Sequence, residues 1–303
     1  MSSHNIPTKT ELQIYLQKHR NWGRWGNKSE AGTVNLITSN KRVTASRKIQ
    51  SGRTVSLSRA WPLTPTAENP DPASLHVMSG GSPSEGGASD YIGIAYHGHA
   101  ATHVDSLAHV WDQDGLWEGR DPWETIVPSG VTHGSVDAWK NGIVTRGLFL
   151  DVPKHRGEPY VSYEKPVHGF ELYEIIDKEG LTVEAGDALV VYSGRAAYSS
   201  EHNGTWGGHP KQPGLHPSCL PFIRDNDISV LVWDMLDLFP LVYGNINIHS
   251  AINAFGLVLL DNALLEPLSA ACANEGRYEF MLTICPLVIP GGTGSPVNPI
   301  AIF

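Results

Sequence analysis

The chain has 303 residues, of which 41% are hydrophobic and 17% charged, a composition typical of a globular protein with a substantial core. Its net charge of −9 and the lack of a basic run argue against nucleic acid or an anionic membrane as a partner. The N-terminal stretch lacks the apolar core of a signal peptide, no apolar run could span a bilayer, and the three cysteines show no Cys-x-x-Cys spacing. We therefore expect a cytoplasmic protein without a disulfide framework.

The first third of the chain is predicted to be largely irregular. A helical pattern covers residues 8–19, with Thr8 or Thr10 as its cap, and a short strand follows at 54–57. Residues 61–90 contain five prolines and two glycine pairs, which predicts a long irregular segment. Because this segment directly precedes a histidine-rich stretch, a lid-like loop is favoured over a disordered linker.

Strands and helices alternate in the rest of the chain. Residues 91–97 alternate in polarity, with Ile92, Ile94 and Tyr96 on one face, which predicts a strand leading into the histidine-rich stretch. Near-continuous apolar runs predict strands that are covered on both faces. These strands are 147–152, 188–193, 230–234 and 257–261, and the helices between or after them are 169–179, 219–225, 248–254 and 268–275. This order predicts an α/β fold in one domain over residues 1–303.

The strongest functional signal is the stretch from His97 to His109, which holds four of the fourteen histidines and one aspartate. Imidazole and carboxylate are ligands that borderline divalent metals prefer. A strand that ends near His99 and turns through small residues would bring His99, His103 and Asp105 together. Two imidazoles and one carboxylate leave coordination positions open, which is typical of a catalytic site.

Each of the two other histidines of this stretch, His97 and His109, is compatible with more than one role. His109 lies four residues beyond Asp105 and is expected to act as the catalytic acid or base, with a fourth metal ligand as the alternative. His97 is compatible with a substrate contact, a partner of a metal ligand or a solvated side chain.

The pattern His99-x-x-Thr102-His103-x-Asp105-x-x-x-His109 resembles the His-x-Gly-Thr-His-x-Asp-x-Pro-x-His signature of the cyclase family of metal-dependent hydrolases. That family includes kynurenine formamidases and isatin hydrolases. Ala101 and Leu107 depart from the usual glycine and proline, but neither departure removes a metal-binding atom.

The resemblance also implies ligands far from the signature. In kynurenine formamidases a downstream histidine and a glutamate twelve residues later complete a two-metal site, and here His249 and Asp261 have that separation. The shorter aspartate leaves one or two ions equally compatible. The resemblance further implies a swivelling β/β/α fold, in which helices flank a central mixed sheet, and assembly as a homodimer or homotetramer.

Together these features predict a metal-dependent hydrolase that opens a cyclic amide, lactone or aryl formamide through metal-bound hydroxide. Mn²⁺ and Zn²⁺ both suit the ligands His99, His103, Asp105, His249 and Asp261. Candidate contacts for a small-molecule substrate are His97, His216 and Trp111.

Two alternatives belong to other functional classes. His103, Asp105 and His249 also match the facial triad of a non-haem Fe(II) oxygenase, although that class favours an all-β barrel. A metal-binding or assembly protein without turnover is the other, and the presence of His109 weighs against it.

Overall fold

The computed structural model describes residues 6–26 and 29–303. Within these residues the α-helices are α1 (Lys9–Lys18), α2 (Ser39–Ser46), α3 (Pro122–Thr125), α4 (Val152–Arg156), α5 (Gly169–Lys178), α6 (Arg195–Glu201), α7 (Leu220–Asp225), α8 (Ser250–Phe255) and α9 (Glu266–Glu275). The strands of the same residues are β1 (Thr54–Ser56), β2 (Ser74–Ser82), β3 (Glu85–Gly93), β4 (His103–Asp105), β5 (Ile126–Val127), β6 (Gly130–Val131), β7 (Ile143–Asp151), β8 (Ala188–Tyr192), β9 (Val230–Trp233), β10 (Val258–Asp261), β11 (Glu279–Ile284), β12 (Gly294–Pro296) and β13 (Ile300–Ile302).

The centre of the molecule is a nine-stranded mixed sheet with the order β1-β13-β11-β7-β8-β9-β10-β4-β12. Strands β7, β8, β9 and β10 are parallel, and the other pairs in this sheet are antiparallel. Helical segments connect the parallel strands, as parallel neighbours require. The predicted α/β fold, with helices around a central mixed sheet, is confirmed.

The parallel strands form where the sequence has its longest apolar runs. Every residue of β9 and β10 is buried, and β8 is buried apart from its last residue. Because both faces of these strands are covered, alternation between polar and apolar residues is absent from them. The prediction of strands covered on both faces is confirmed.

Helix α1 illustrates how local sequence determines an element. The Thr8 hydroxyl accepts a hydrogen bond from the Glu11 backbone N–H, and the Glu11 carboxylate accepts one from the Thr8 backbone N–H. This capping box satisfies amides at the start of the helix. Leu12 and Leu16 form the buried face, so the predicted helix is confirmed.

The prediction of an irregular stretch is wrong for residues 74–90. Strands β2 and β3 pair along their whole length as an antiparallel hairpin that is exposed almost throughout. Because neither face packs on the core, the pattern of a half-buried strand is missing from this glycine-rich segment. The strand predicted at 91–97 ends at Gly93, and a loop leads from there to His103.

No helix among the described residues is long and apolar enough to cross a membrane.

Candidate metal centre

The pairing of β4 with β10 places three candidate ligands on one face of the sheet. His103 lies directly opposite Asp261, and Asp105 follows His103 by two residues. Because side chains alternate along a strand, all three point to the same side. The Nε2 atom of His103 is 3.4 Å from Oδ1 of Asp105.

His249 reaches this group from the turn that precedes α8. Its Nε2 atom is 3.6 Å from Oδ2 of Asp105 and 3.4 Å from Oδ2 of Asp261. Its Nδ1 atom is 2.5 Å from Oδ2 of Asp237. The other Asp237 oxygen accepts the Ile248 backbone N–H at 2.6 Å. Asp237 thus holds the His249 ring with Nε2 directed at the two carboxylates, as carboxylates that orient metal-binding histidines do.

His97 and His109 also lie close to Asp105. Nδ1 of His97 is 2.9 Å from Oδ1 of Asp105, and Nε2 of His109 is 3.8 Å from the same oxygen. The two imidazole rings are stacked, with centroids 4.0 Å apart. Asp105 is therefore the residue that all four of these histidines approach.

The donors of this site fit a divalent cation. Asp105 is fully buried, yet neither of its carboxylate oxygens has a partner with hydrogen-bond geometry among the described residues. A buried carboxylate without donors is costly unless a cation neutralises it. The Nδ1–H of His103 donates to the Ala101 carbonyl at 2.9 Å, so Nε2 faces Asp105 and is the atom that offers a lone pair when the ring is neutral. The lone pairs of imidazole and carboxylate thus converge on the same small space.

The charges of the site shift the pKa values of its members. Burial alone would raise the pKa of Asp105, but the histidines around it hold this pKa well below its usual range. Burial lowers the pKa of His103, but the nearby Asp105 and Asp261 carboxylates outweigh burial and raise it to about 8. Asp237 and Asp261 likewise raise the pKa of His249 against the effect of burial. A bound cation would have to displace the protons that these two histidines hold.

His109 differs from these two histidines. Burial lowers its pKa to about 4, and the Asp105 charge offsets only part of this effect. Its imidazole is therefore neutral near pH 7 and can accept a proton.

The structure brings most of the predicted site residues together, but His99 lies apart from them. The described residues contain two groups of possible ligands, and within each group the ligand atoms all lie within 4.8 Å of one another. The first group is His97, Asp105 and His109, and the second is His103, Asp105 and Asp261. His249 contacts two members of the second group. The His99 ring belongs to neither group and packs edge-on against Trp206, with centroids 5.2 Å apart. The ligand role of His99 stays a prediction.

A cavity of about 330 Å³ adjoins the site, and segments 67–71 and 95–101 line much of it. His97 and His99 are in its wall, whereas Trp111 and His216 are not among the described residues that line it. Trp111 is 49% exposed. His216 is buried, and its Nδ1 accepts the Ser218 backbone N–H at 3.0 Å. The predicted substrate contacts of Trp111 and His216 gain no support from this placement.

Sequence reasoning missed two residues that orient the predicted ligands. Asp237 orients His249, and the indole N–H of Trp233 donates to Oδ1 of Asp261 at 2.5 Å. Both residues follow or end β9, next to the strand that carries Asp261. No local sequence motif identifies either residue. The available signal for Asp237 was its position shortly after the end of a buried parallel strand, where ligand-binding sites often form.

Comparison with known proteins identifies the family to which this chain is similar. Residues 43–238 match the family described as "Putative cyclase". The chain has no significant match among curated proteins. The solved structure of a novel cyclase is 26% identical, with a TM-score of 0.78 and coverage of 94% of this chain and 100% of that one.

Two more distant structures share the fold. Isatin hydrolase A from Labrenzia aggregata, bound to benzyl benzoate, is 17% identical with a TM-score of 0.55, covering 86% of this chain and 97% of that one. A predicted metal-dependent hydrolase from Bacillus stearothermophilus is 11% identical with a TM-score of 0.50, covering 83% and 98%. The fold and the buried cluster thus define an α/β protein with a candidate metal centre. Since the family match covers more than half of the sequence, the chain belongs to this cyclase family.

Proposed function

We propose that the protein is a metal-dependent hydrolase that opens a cyclic amide, a lactone or an aryl formamide. The observation that carries this proposal is the fully buried Asp105 carboxylate, which faces imidazole nitrogens but has no hydrogen-bond donor of suitable geometry. Membership of the cyclase family supports it, as does the fold shared with an isatin hydrolase and a predicted metal-dependent hydrolase.

The residues that would hold the cation are His103, Asp105, His249 and Asp261. Either His97 or His99, from the loop before β4, would be a further ligand. Nitrogen and carboxylate donors suit both Zn²⁺ and Mn²⁺. A divalent cation in such a site supplies Lewis acidity toward a carbonyl oxygen and lowers the pKa of water. Asp237 and the Ala101 carbonyl keep the Nε2 atoms of their histidines available.

His109 is the proposed proton carrier. Hydrolysis adds water across the carbonyl carbon, breaks the bond to the leaving nitrogen or oxygen, and moves one proton from the water to the leaving group. A neutral imidazole whose Nε2 lies near the Asp105 carboxylate can accept that proton and then donate it to the leaving atom. The substrate carbonyl would enter from the cavity that His97 and His99 line.

The decisive experiment is the substitution His109→Ala in the metal-loaded protein. The expected result is unchanged metal content with turnover reduced about 10²- to 10⁴-fold, because general acid and base catalysis contributes that much. Metal analysis and a pH-indicator screen of lactones, cyclic imides and formamides measure the two effects.

His76→Ala, on the exposed β2 strand, is the matched control and should retain full activity. Wild-type activity in His109→Ala would remove His109 from the mechanism. Wild-type protein that contains no metal and turns over no member of the panel would contradict the proposed function. Turnover that requires O₂, iron and a reducing cosubstrate would favour the oxygenase alternative, although this fold is not an all-β barrel.

A further inference from the structure

Asn262 is a buried polar residue next to the candidate metal centre. It directly follows Asp261, the last residue of β10, and it is fully buried. Its φ of 57° lies in the left-handed region, which asparagine tolerates better than most residues. A buried amide in an uncommon backbone conformation needs specific partners.

The side chain of Asn262 uses both amide hydrogens and its oxygen. The amide group donates to the Gly98 carbonyl at 2.7 Å and to the Ala101 carbonyl at 3.0 Å. The oxygen accepts a hydrogen bond from Nη1 of Arg195 at 2.7 Å. Asn262 therefore connects the end of β10 to the loop that precedes β4.

The Ala101 carbonyl links Asn262 to a candidate ligand. It accepts the Nδ1–H of His103 at 2.9 Å while it also accepts the Asn262 amide. Only the tautomer with its hydrogen on Nδ1 can make this bond and present an Nε2 lone pair to Asp105. The direction of one backbone carbonyl thus selects the metal-binding form of His103.

Arg195 holds the Asn262 amide in this orientation. Its guanidinium is buried over the Trp206 ring, 4.8 Å from the ring centroid, and Nη1 also donates to the Asp234 carbonyl at 3.1 Å. Nη2 donates to the His99 carbonyl. Because a guanidinium donates hydrogen bonds and accepts none, it must face the Asn262 side-chain oxygen, and a flipped amide would place N–H groups against it. The loop at 98–101 is therefore fixed from two sides.

We infer that Asn262, held by Arg195, is a positioning residue that sets the tautomer of His103 and thereby the metal affinity of the site. This inference rests on the proposed function, because it assumes that His103 is a metal ligand. Substitution of groups that hydrogen-bond to metal ligands commonly changes metal affinity about 10- to 100-fold, and Asn262 acts on such a group, the Ala101 carbonyl.

The test is Asn262→Asp, which keeps the size of the side chain and tolerates the left-handed backbone. A carboxylate has no N–H to donate, so the Gly98 and Ala101 carbonyls lose their partner and face a negative charge. We expect Zn²⁺ to bind about 10- to 100-fold more weakly, as measured by competition with a chromophoric chelator. Asn262→Gly removes the amide without straining the backbone and should weaken binding in the same direction.

Asn203→Asp is the matched control, since Asn203 is exposed and also left-handed, with a φ of 56°. It should bind Zn²⁺ as the wild type does. Folded Asn262 variants, identified by circular dichroism, that bind Zn²⁺ as tightly as the wild type would overturn the inference. Wild-type protein that binds no Zn²⁺ would instead contradict the proposed function.

Nitrogen-15 NMR of the imidazoles tests the tautomer in the wild type and does not depend on how the variants fold. In the metal-free protein at alkaline pH, His103 should carry its hydrogen on Nδ1. A hydrogen on Nε2 would overturn the inference. In Asn262→Asp the population of the Nδ1–H form should fall, a change that a general loss of stability would not produce.

Discussion

Asp105 and Asp234 are both fully buried carboxylates, but their surroundings differ. The oxygens of Asp234 accept the backbone N–H groups of Ser193, Gly194 and Arg195 at 2.8 to 3.0 Å. Burial raises the pKa of Asp234 to about 6. Among the described residues, the groups that approach the Asp105 oxygens are imidazole nitrogens, and they lower the pKa of Asp105. At the residue scale, backbone donors mark Asp234 as part of the scaffold, whereas Asp105 is left available for a cation.

The two histidines before β4 give a prediction at the same scale. We expect His97→Ala to weaken Zn²⁺ binding about 10- to 100-fold, and His99→Ala to weaken it less than about tenfold. The reason is that Nδ1 of His97 lies 2.9 Å from Asp105, whereas the His99 ring packs against Trp206. Chelator competition measures both affinities.

His76→Ala serves again as the control, because it removes an exposed histidine from the hairpin. The opposite order of effects would establish His99 as the ligand, in agreement with the sequence signature, and would show that the loop before β4 rearranges when metal binds.

At the scale of elements, residues 67–71 of the segment 59–73 form one wall of the cavity, and Glu68 anchors this wall. Oε2 of Glu68 accepts the backbone N–H groups of Trp206 and Gly207 at 3.0 and 2.8 Å, and it lies 3.4 Å from Nη2 of Arg195. The neighbouring residues 67–71 line the cavity beside His97 and His99. The Glu68 carboxylate therefore helps to secure the segment that closes one side of the proposed substrate cavity.

Glu68→Gln should loosen this segment. An amide oxygen is a weaker acceptor for two N–H groups and loses the attraction to the buried Arg195 guanidinium. We expect a stability loss of about 1–3 kcal/mol and faster proteolytic cleavage within residues 61–73. Thermal unfolding and limited proteolysis with mass spectrometry measure these effects.

Glu85→Gln at the start of the exposed strand β3 is the matched control and should change neither quantity. An unchanged cleavage rate in Glu68→Gln would mean that other contacts hold the segment.

At the scale of the whole molecule, metal binding and protonation oppose each other. The contacts of protonated His103 with its carboxylates stabilise the metal-free fold fully below pH of about 6.5, the unfolded pKa of histidine. Because these contacts raise the pKa of His103 to about 8, this contribution is lost as the pH rises through that value. The deprotonated imidazole is the form that binds a cation.

Addition of Zn²⁺ should therefore raise the melting temperature more at pH 8.5 than at pH 6. A free metal concentration 100 times the dissociation constant gives about 2.7 kcal/mol of added stability, and acidification raises that constant. Scanning calorimetry of metal-free and metal-loaded protein at both pH values measures the difference.

Ca²⁺ is the matched control ion, since it prefers oxygen ligands and should raise the melting temperature little at either pH. An equal effect of Zn²⁺ at pH 6 and pH 8.5 would show that His103 does not contribute to the binding site.

The sequence by itself determined the elements whose signals are local. The buried parallel strands follow from continuous apolar runs, and helix α1 follows from its Thr8 cap and its helical pattern of apolar residues. The resemblance to kynurenine formamidases, through the separation of twelve residues, also predicted His249 and Asp261 near the site, although their partners are far away in the chain.

Only the tertiary structure decided which groups surround these residues. The hairpin β2–β3 could not be predicted because it has no buried face, and its sequence therefore lacks the alternation of apolar and polar residues that indicates a strand. Asp237 and Asn262 act through contacts with His249 and with the loop before β4, and a contact made by chain folding leaves no periodicity in the sequence. Side-chain alternation determines which face of a strand a ligand occupies, whereas the direction of a lone pair depends on neighbours that only the folded chain supplies.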